Sequence, residues 1–139
     1  MAVLVVPADL DSLSVIRQRE REAAQEAGLD GEESYRLTLA VDEIATNIIT
    51  HGYREAGLQG RLELVADVDE RNLTVTLRDT GIAFDPGQAA DPRLEKPVEE
   101  RDIGGLGIFL TVKNVDEYSY RRIGEENCNI FVMHRKPAP

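Results

Sequence analysis

Hydrophobic and polar positions alternate along this chain in three distinct rhythms. The opening "MAVLVV" is apolar and stops at Pro7, which predicts a first strand. "ADLDSLSVIRQREREAAQEAGL" reads as a helix, with Asp9 or Asp11 as its cap and Gly28 where it stops. A second helix is expected from about Glu32 to Tyr53, its core face made by Leu37, Val41, Ile44 and Ile48. The period then changes to two: Leu62, Leu64, Ala66 and Val68 alternate with polar residues, as do Leu73, Val75 and Leu77, with "DERN" as the turn between them. From Pro86 to Ile103 apolar residues are few, which predicts a long surface loop. "GGLGIFLTVKNVDEY" reads as a glycine-rich turn entering a short helix, and "EYSYRRI" and "NCNIFVMHRK" as two closing strands. This order predicts one α/β (α+β) domain over residues 1–139, a two-layer sandwich with helices on one face of a mainly antiparallel mixed sheet.

Composition narrows the function classes. The 139 residues suffice for one domain with a real core, and 42% hydrophobic against 30% charged residues is the balance of a folded globular chain. A net charge of −10 argues against direct nucleic-acid binding, because a polyanion is repelled. The first apolar stretch lacks a basic flank and is too short for a signal core or a membrane span, so a cytoplasmic location with no membrane contact is expected. The single cysteine, Cys128, allows no internal disulfide and fits a reducing compartment.

Three stretches carry candidate chemistry. In "LAVDEIATNIITHGY", Glu43, Asn47 and His51 are four residues apart. On an ideal helix they advance by roughly 40° per step, along a line about 80° from the centre of the apolar face, so all three should border the core. Asn47 offers a neutral oxygen to a hard cation such as Mg²⁺, and Glu43 can take a proton from an attacking hydroxyl or water. E-x-x-x-N alone is also common on helix surfaces. In "RDTGIAFDP", Asp79 has the strand parity of Leu73, Val75 and Leu77, so it should face the helices; there it needs a donor such as the exocyclic amine of adenine. Gly81 would let the backbone approach a flat ring closely. In "DIGGLGIF", Gly104, Gly105 and Gly107, with Leu106 between them, precede a helical run and expose N–H groups suited to phosphate oxygens, without the Walker or dinucleotide patterns. Separately each stretch is weak. Together they supply metal, adenine and phosphate contacts of one Mg-ATP site.

These stretches resemble the N-box (Glu43, Asn47, then His51), the first glycine box (Asp79, Gly81) and the second glycine box (Gly104, Gly105, Gly107) of the GHKL superfamily, which includes gyrase, histidine kinases and the mismatch-repair MutL proteins. "DEIATNIITHGY", "DTGIAFDP" and "GGLGIFLTVKNVDEY" are most similar to the bacterial anti-sigma factor serine kinases, over about residues 10 to 135. The resemblance implies a Bergerat-type ATP site and, often, a dimer. It implies a protein that holds a sigma factor or a STAS-domain antagonist in alternation and phosphorylates the antagonist. Glu43 would be the general base, Asn47 the Mg²⁺ ligand and Asp79 the adenine anchor, with the 104–107 turn cradling phosphates under the 86–103 lid. The resemblance also implies that Lys96 or Arg101 of the lid would reach the γ-phosphate, though nothing in the sequence places them, and that His51 would only pack or hydrogen-bond at the helix end.

The first glycine box is commonly D-x-G-x-G, and Ala83 stands at its second glycine. That departure leaves open an ATP-dependent binding switch without kinase activity. "GEENCNIF" lacks the Gly-Thr of some relatives, so no ligand is assigned there. A histidine-kinase fragment is disfavoured because the two histidines, His51 and His134, do not precede the domain. Chaperone and topoisomerase readings are disfavoured by length.

Overall fold

The computed structural model describes residues 3–81 and 114–136. Ala83, the 86–103 loop, Gly104, Gly105, Leu106, Gly107 and the helix expected after them lie outside the described residues.

β1 (Val3–Pro7) leads through a 3₁₀ turn (Leu10–Ser12) into α1 (Leu13–Ala27). Asp9 caps the turn, its carboxylate accepting from the Ser12 N–H at 3.1 Å, so the α-helix itself begins later than expected. Gly28 ends α1 with φ +75°, a conformation that suits a residue without Cβ. α2 (Gly31–Asn47) starts with a reciprocal capping box. The Glu33 N–H donates to Asp30 Oδ1 at 2.8 Å, and the Asp30 N–H donates to Glu33 Oε1 at 3.1 Å. The second helix continues to Arg54, as a wider π-helical segment from Ile48 (Ile48–Arg54).

β2 (Arg61–Val68) and β3 (Asn72–Asp79) form the expected hairpin. At its turn Asp69 Oδ1 accepts the N–H groups of Arg71 and Asn72, both at 2.7 Å. β4 (Glu117–Ile123) and β5 (Glu126–His134) form a second hairpin. The sheet order is β1-β2-β3-β5-β4 with every neighbouring pair antiparallel, so β5 inserts beside β3 and leaves β4 at an edge. Both helices lie on one face: α1 packs on β2 and β3, α2 on β5. Leu37, Val41, Ile44 and Ile48 meet Leu62, Leu64, Leu73, Val75, Leu77, Phe131 and Met133 in one core, the face that the periodicity predicts.

A charged residue of α1 sits inside this packing. Glu20 on α1 is 1% exposed, and neither carboxylate oxygen has a hydrogen-bond partner among the described residues. Beside it Arg17 Nε donates to Asp42 Oδ1 at 2.8 Å, tying α1 to α2. Burial, then the Asp42 charge, push the Glu20 carboxyl well above the usual carboxylate range, against the pull of Arg17 and Arg21. The folded chain therefore holds this proton more tightly than the unfolded chain. Glu20's contribution is most favourable below the ordinary glutamate range and is lost as pH climbs toward and through the folded value. Glu20→Met should raise stability by about 1–2 kcal/mol at pH 8 by removing a buried, unpaired polar group. The gain should shrink as pH falls toward 5, read from urea unfolding at both pH values; an equal gain at both would show that Glu20 does not titrate with folding.

Candidate functional site

The site is built where β3 ends. Leu73, Val75, Leu77 and Asp79 all point to the helix-covered face, so the alternation that buries three apolar side chains also buries a carboxylate, 4% exposed. Oδ1 accepts two hydrogen bonds, from the Gly81 N–H at 2.8 Å and from Asn127 Nδ2 at 3.0 Å. Oδ2 is buried with no partner among the described residues. Burial pushes the Asp79 carboxyl above its ordinary value, while the Asn127 and Gly81 donors and the Arg122 charge oppose that rise. A buried acceptor left unmet costs about 1–3 kcal/mol, a deficit that a ligand N–H donor can remove. The exocyclic amine of adenine has that chemistry, so the residues here fit an adenine nucleotide.

Gly81 is held small by its own neighbours in the fold. Its φ is not in the left-handed region, unlike Gly28, Gly57 and Gly124. A Cβ on it would lie 2.8 Å from the Gly52 carbonyl oxygen and 3.0 Å from the Tyr53 ring. Gly81 thus permits a close approach to the end of the second helix. Tyr53, 2% exposed, is clasped from the other side by Gly60, where a Cβ would also collide with the ring. Its hydroxyl accepts the Thr80 N–H at 2.9 Å and donates to the Arg61 carbonyl at 3.5 Å. One ring therefore joins the N-box helix to the strand end that carries Asp79. The apolar period places Tyr53 at the end of a helix and gives no hint of this hydroxyl's partners.

Upstream on the same helix, Glu43 and Asn47 are half-buried, as expected of groups bordering the core. Asn47 Nδ2 donates to the Glu43 carbonyl at 2.7 Å and lies 3.5 Å from Glu43 Oε1. These acceptors take the amide's nitrogen, leaving its oxygen for a cation or donor. The described residues contain no group of three His, Cys, Asp or Glu side chains able to hold a metal alone. Mg²⁺ needs no such cage, since phosphate oxygens and water complete its shell, so a single amide oxygen fits it.

His51 departs from the stripe. The Glu55 N–H bonds to the Thr50 carbonyl at 3.0 Å and the Leu58 N–H to the Tyr53 carbonyl at 2.8 Å, both spanning five residues. The wider turn rotates less per residue, so the four-residue arithmetic fails beyond Asn47. His51 is exposed and pairs through Nδ1 with Glu55 Oε2 at 2.8 Å; it does not border the core.

The closing hairpin contributes what was not assigned. Asn127 and Asn129 share the inward parity of Phe131 and Met133 and are buried, 2% exposed each. Asn127 Nδ2 donates to Asp79 Oδ1 and, at 3.1 Å, to the Gly81 carbonyl; its Oδ1 accepts from Arg122 at 2.9 Å and from the Tyr120 hydroxyl. Asparagine at two core-parity positions of "NCNIFVM" is the signal that points here.

Residues 6–135 match the family model described as the histidine kinase-like ATPase domain. The serine/threonine-protein kinase BtrW of Bordetella bronchiseptica is 29% identical over 103 residues, 74% of this chain and 72% of that protein. The serine-protein kinase RsbW of Bacillus cereus is 27% identical over 116 residues, 81% of this chain and 71% of its own length. Among solved structures, the RsbU and RsbW domains of a Mycobacterium tuberculosis protein superpose over 99% of this chain and 34% of that one, with TM-score 0.61 at 16% identity. The histidine kinase domain of a blue-light activated kinase of Erythrobacter litoralis superposes over 87% of this chain and 60% of that one, with TM-score 0.56 at 19% identity. With the buried Asp79, the glycine beside it and the Glu43–Asn47 pair on the adjoining helix, the match over nearly the whole length leads to one conclusion: the chain belongs to the histidine kinase-like ATPase domain family.

Proposed function

We propose that this chain is a regulatory serine-protein kinase that binds Mg-ATP and phosphorylates a STAS-type antagonist, holding a sigma factor in alternation with it. The observation that carries the reading is Asp79, a buried carboxylate with one oxygen met twice and the other unmet among the described residues. That the relatives BtrW and RsbW are named serine and serine/threonine kinases supports the choice of reaction.

Asp79 anchors the adenine amine, and Asn47 is the Mg²⁺ ligand. Bound there, Mg²⁺ supplies neutralising charge to the phosphates. Gly104, Gly105, Leu106 and Gly107 donate backbone N–H groups to phosphate oxygens, and Ala83 lies beside the nucleotide in the first glycine box. Glu43 takes the proton of the attacking serine hydroxyl, and His51 supports the helix end. The working form is a cytoplasmic homodimer; among the described residues no helix is long and apolar enough to cross a membrane. The second reading, an ATP-dependent binding switch without phosphotransfer, is favoured by one feature, Ala83 in place of glycine.

Incubation with Mg-ATP and a cognate STAS-domain protein separates the two, since only the kinase yields phosphoserine and ADP. Glu43→Ala should lower transfer by about 10²-fold or more while ATP affinity stays within roughly threefold; normal transfer by this variant removes Glu43 as the base. Asp79→Asn should weaken ATP binding by about 10- to 100-fold, the worth of a charge-assisted hydrogen bond of roughly 1.5–3 kcal/mol. Calorimetric titration with and without Mg²⁺ should show the same loss in both, because Asp79 acts on the base; a loss seen only with Mg²⁺ contradicts the anchor role.

A further inference from the structure

The hydrogen bonds around Asn127 admit one amide orientation. On one side stand Asp79 Oδ1 at 3.0 Å and the Gly81 carbonyl at 3.1 Å. A carbonyl accepts and never donates, and so does an ionised carboxylate. On the other side stand the Arg122 guanidinium at 2.9 Å, which only donates, and the Tyr120 hydroxyl, which donates here. Turning the amide over would set nitrogen against a cation and oxygen against two acceptors. Arg122 also donates to the Gly81 carbonyl at 3.3 Å, closing the ring of contacts around the strand end.

The consequence falls on the carboxylate. Gly81 and Asn127 both donate to Oδ1, which fixes its plane, so Oδ2 alone remains for a ligand. We propose that Asn127, held by Tyr120 and Arg122, is a positioning residue that presents Asp79 Oδ2 as a fixed acceptor and so selects purines carrying an amine over purines carrying a carbonyl at the same ring position. This rests on the reading of Asp79 as the adenine anchor.

The chemistry gives the selection its sign. An ionised carboxylate accepts from an amine and repels a carbonyl oxygen. Without the Asn127 donor, burial is less opposed and Asp79 takes up its proton at a higher pH than before. A protonated Asp79 carries an O–H that a carbonyl can accept, so discrimination then collapses from both directions.

The test compares ATP with inosine triphosphate, which has a carbonyl where ATP has its amine, using dissociation constants in Mg²⁺ buffer at pH 8 and pH 6.5. The unmodified protein should prefer ATP by about tenfold or more, the scale of one charge-assisted hydrogen bond. Asn127→Leu should lose roughly tenfold in ATP affinity with inosine triphosphate changed less than about threefold, and its remaining preference should fall further at pH 6.5. Tyr120→Phe removes one of the donors that orient the amide, at a half-buried edge-strand position, and should show a smaller loss of the same ratio; it carries the test if Asn127→Leu does not fold. Equal weakening of both nucleotides in these variants would reduce Asn127 to a structural role and overturn the proposal. A wild-type protein that binds ATP without preference overturns the anchor reading itself, before Asn127 is considered.

Discussion

The half-met carboxylate of Asp79 is the interaction around which the described structure is arranged. An aspartate at the inward-facing end of a core strand is unfavourable unless donors reach it. Here the donors come from its own turn, through the Gly81 N–H, and from β5, through Asn127. Both meet the same oxygen, and the other faces no donor among the described residues. The fold therefore carries a local deficit at Oδ2 that a suitable N–H donor removes, which is one physical form of a binding site.

The position of that carboxylate depends on close packing as much as on charge. Gly60 and Gly81 leave room on either side of the Tyr53 ring, and the ring's hydroxyl links Thr80 and Arg61. Because Tyr53 lies at the end of the helix that carries Glu43 and Asn47, one ring joins that helix to the strand end that carries Asp79. The π-helical segment makes this junction possible, since its wider turn brings Gly52 and Tyr53 against the strand while sending His51 outward.

Glu20 is an instructive contrast. It is as deeply buried as Asp79 and has both oxygens unmet among the described residues, yet it lies among the core-facing residues of α1 beside the Arg17–Asp42 pair, with no glycine turn next to it. Burial of a carboxylate by itself marks strain. Asp79 differs in being oriented: fixed donors hold one oxygen and leave the other, and orientation is what a small ligand can read.

The local rhythm of the chain determined most of the architecture, because helix and strand periods depend on neighbours a few residues apart. Leu37, Val41, Ile44 and Ile48 lie on one face, Leu62, Leu64 and Ala66 on the sheet's inner side, Asp79 follows Leu77 in parity, and Gly28 ends a helix. Residue chemistry also singled out Glu43, Asn47 and Asp79. Tertiary structure alone decided what these side chains touch. Tyr53 meets a backbone N–H 27 positions away, and Asn127 meets a carboxylate 48 positions away. No periodicity records such pairings. They follow from which strands the sheet sets side by side and from how closely a helix end can approach where a side chain is missing.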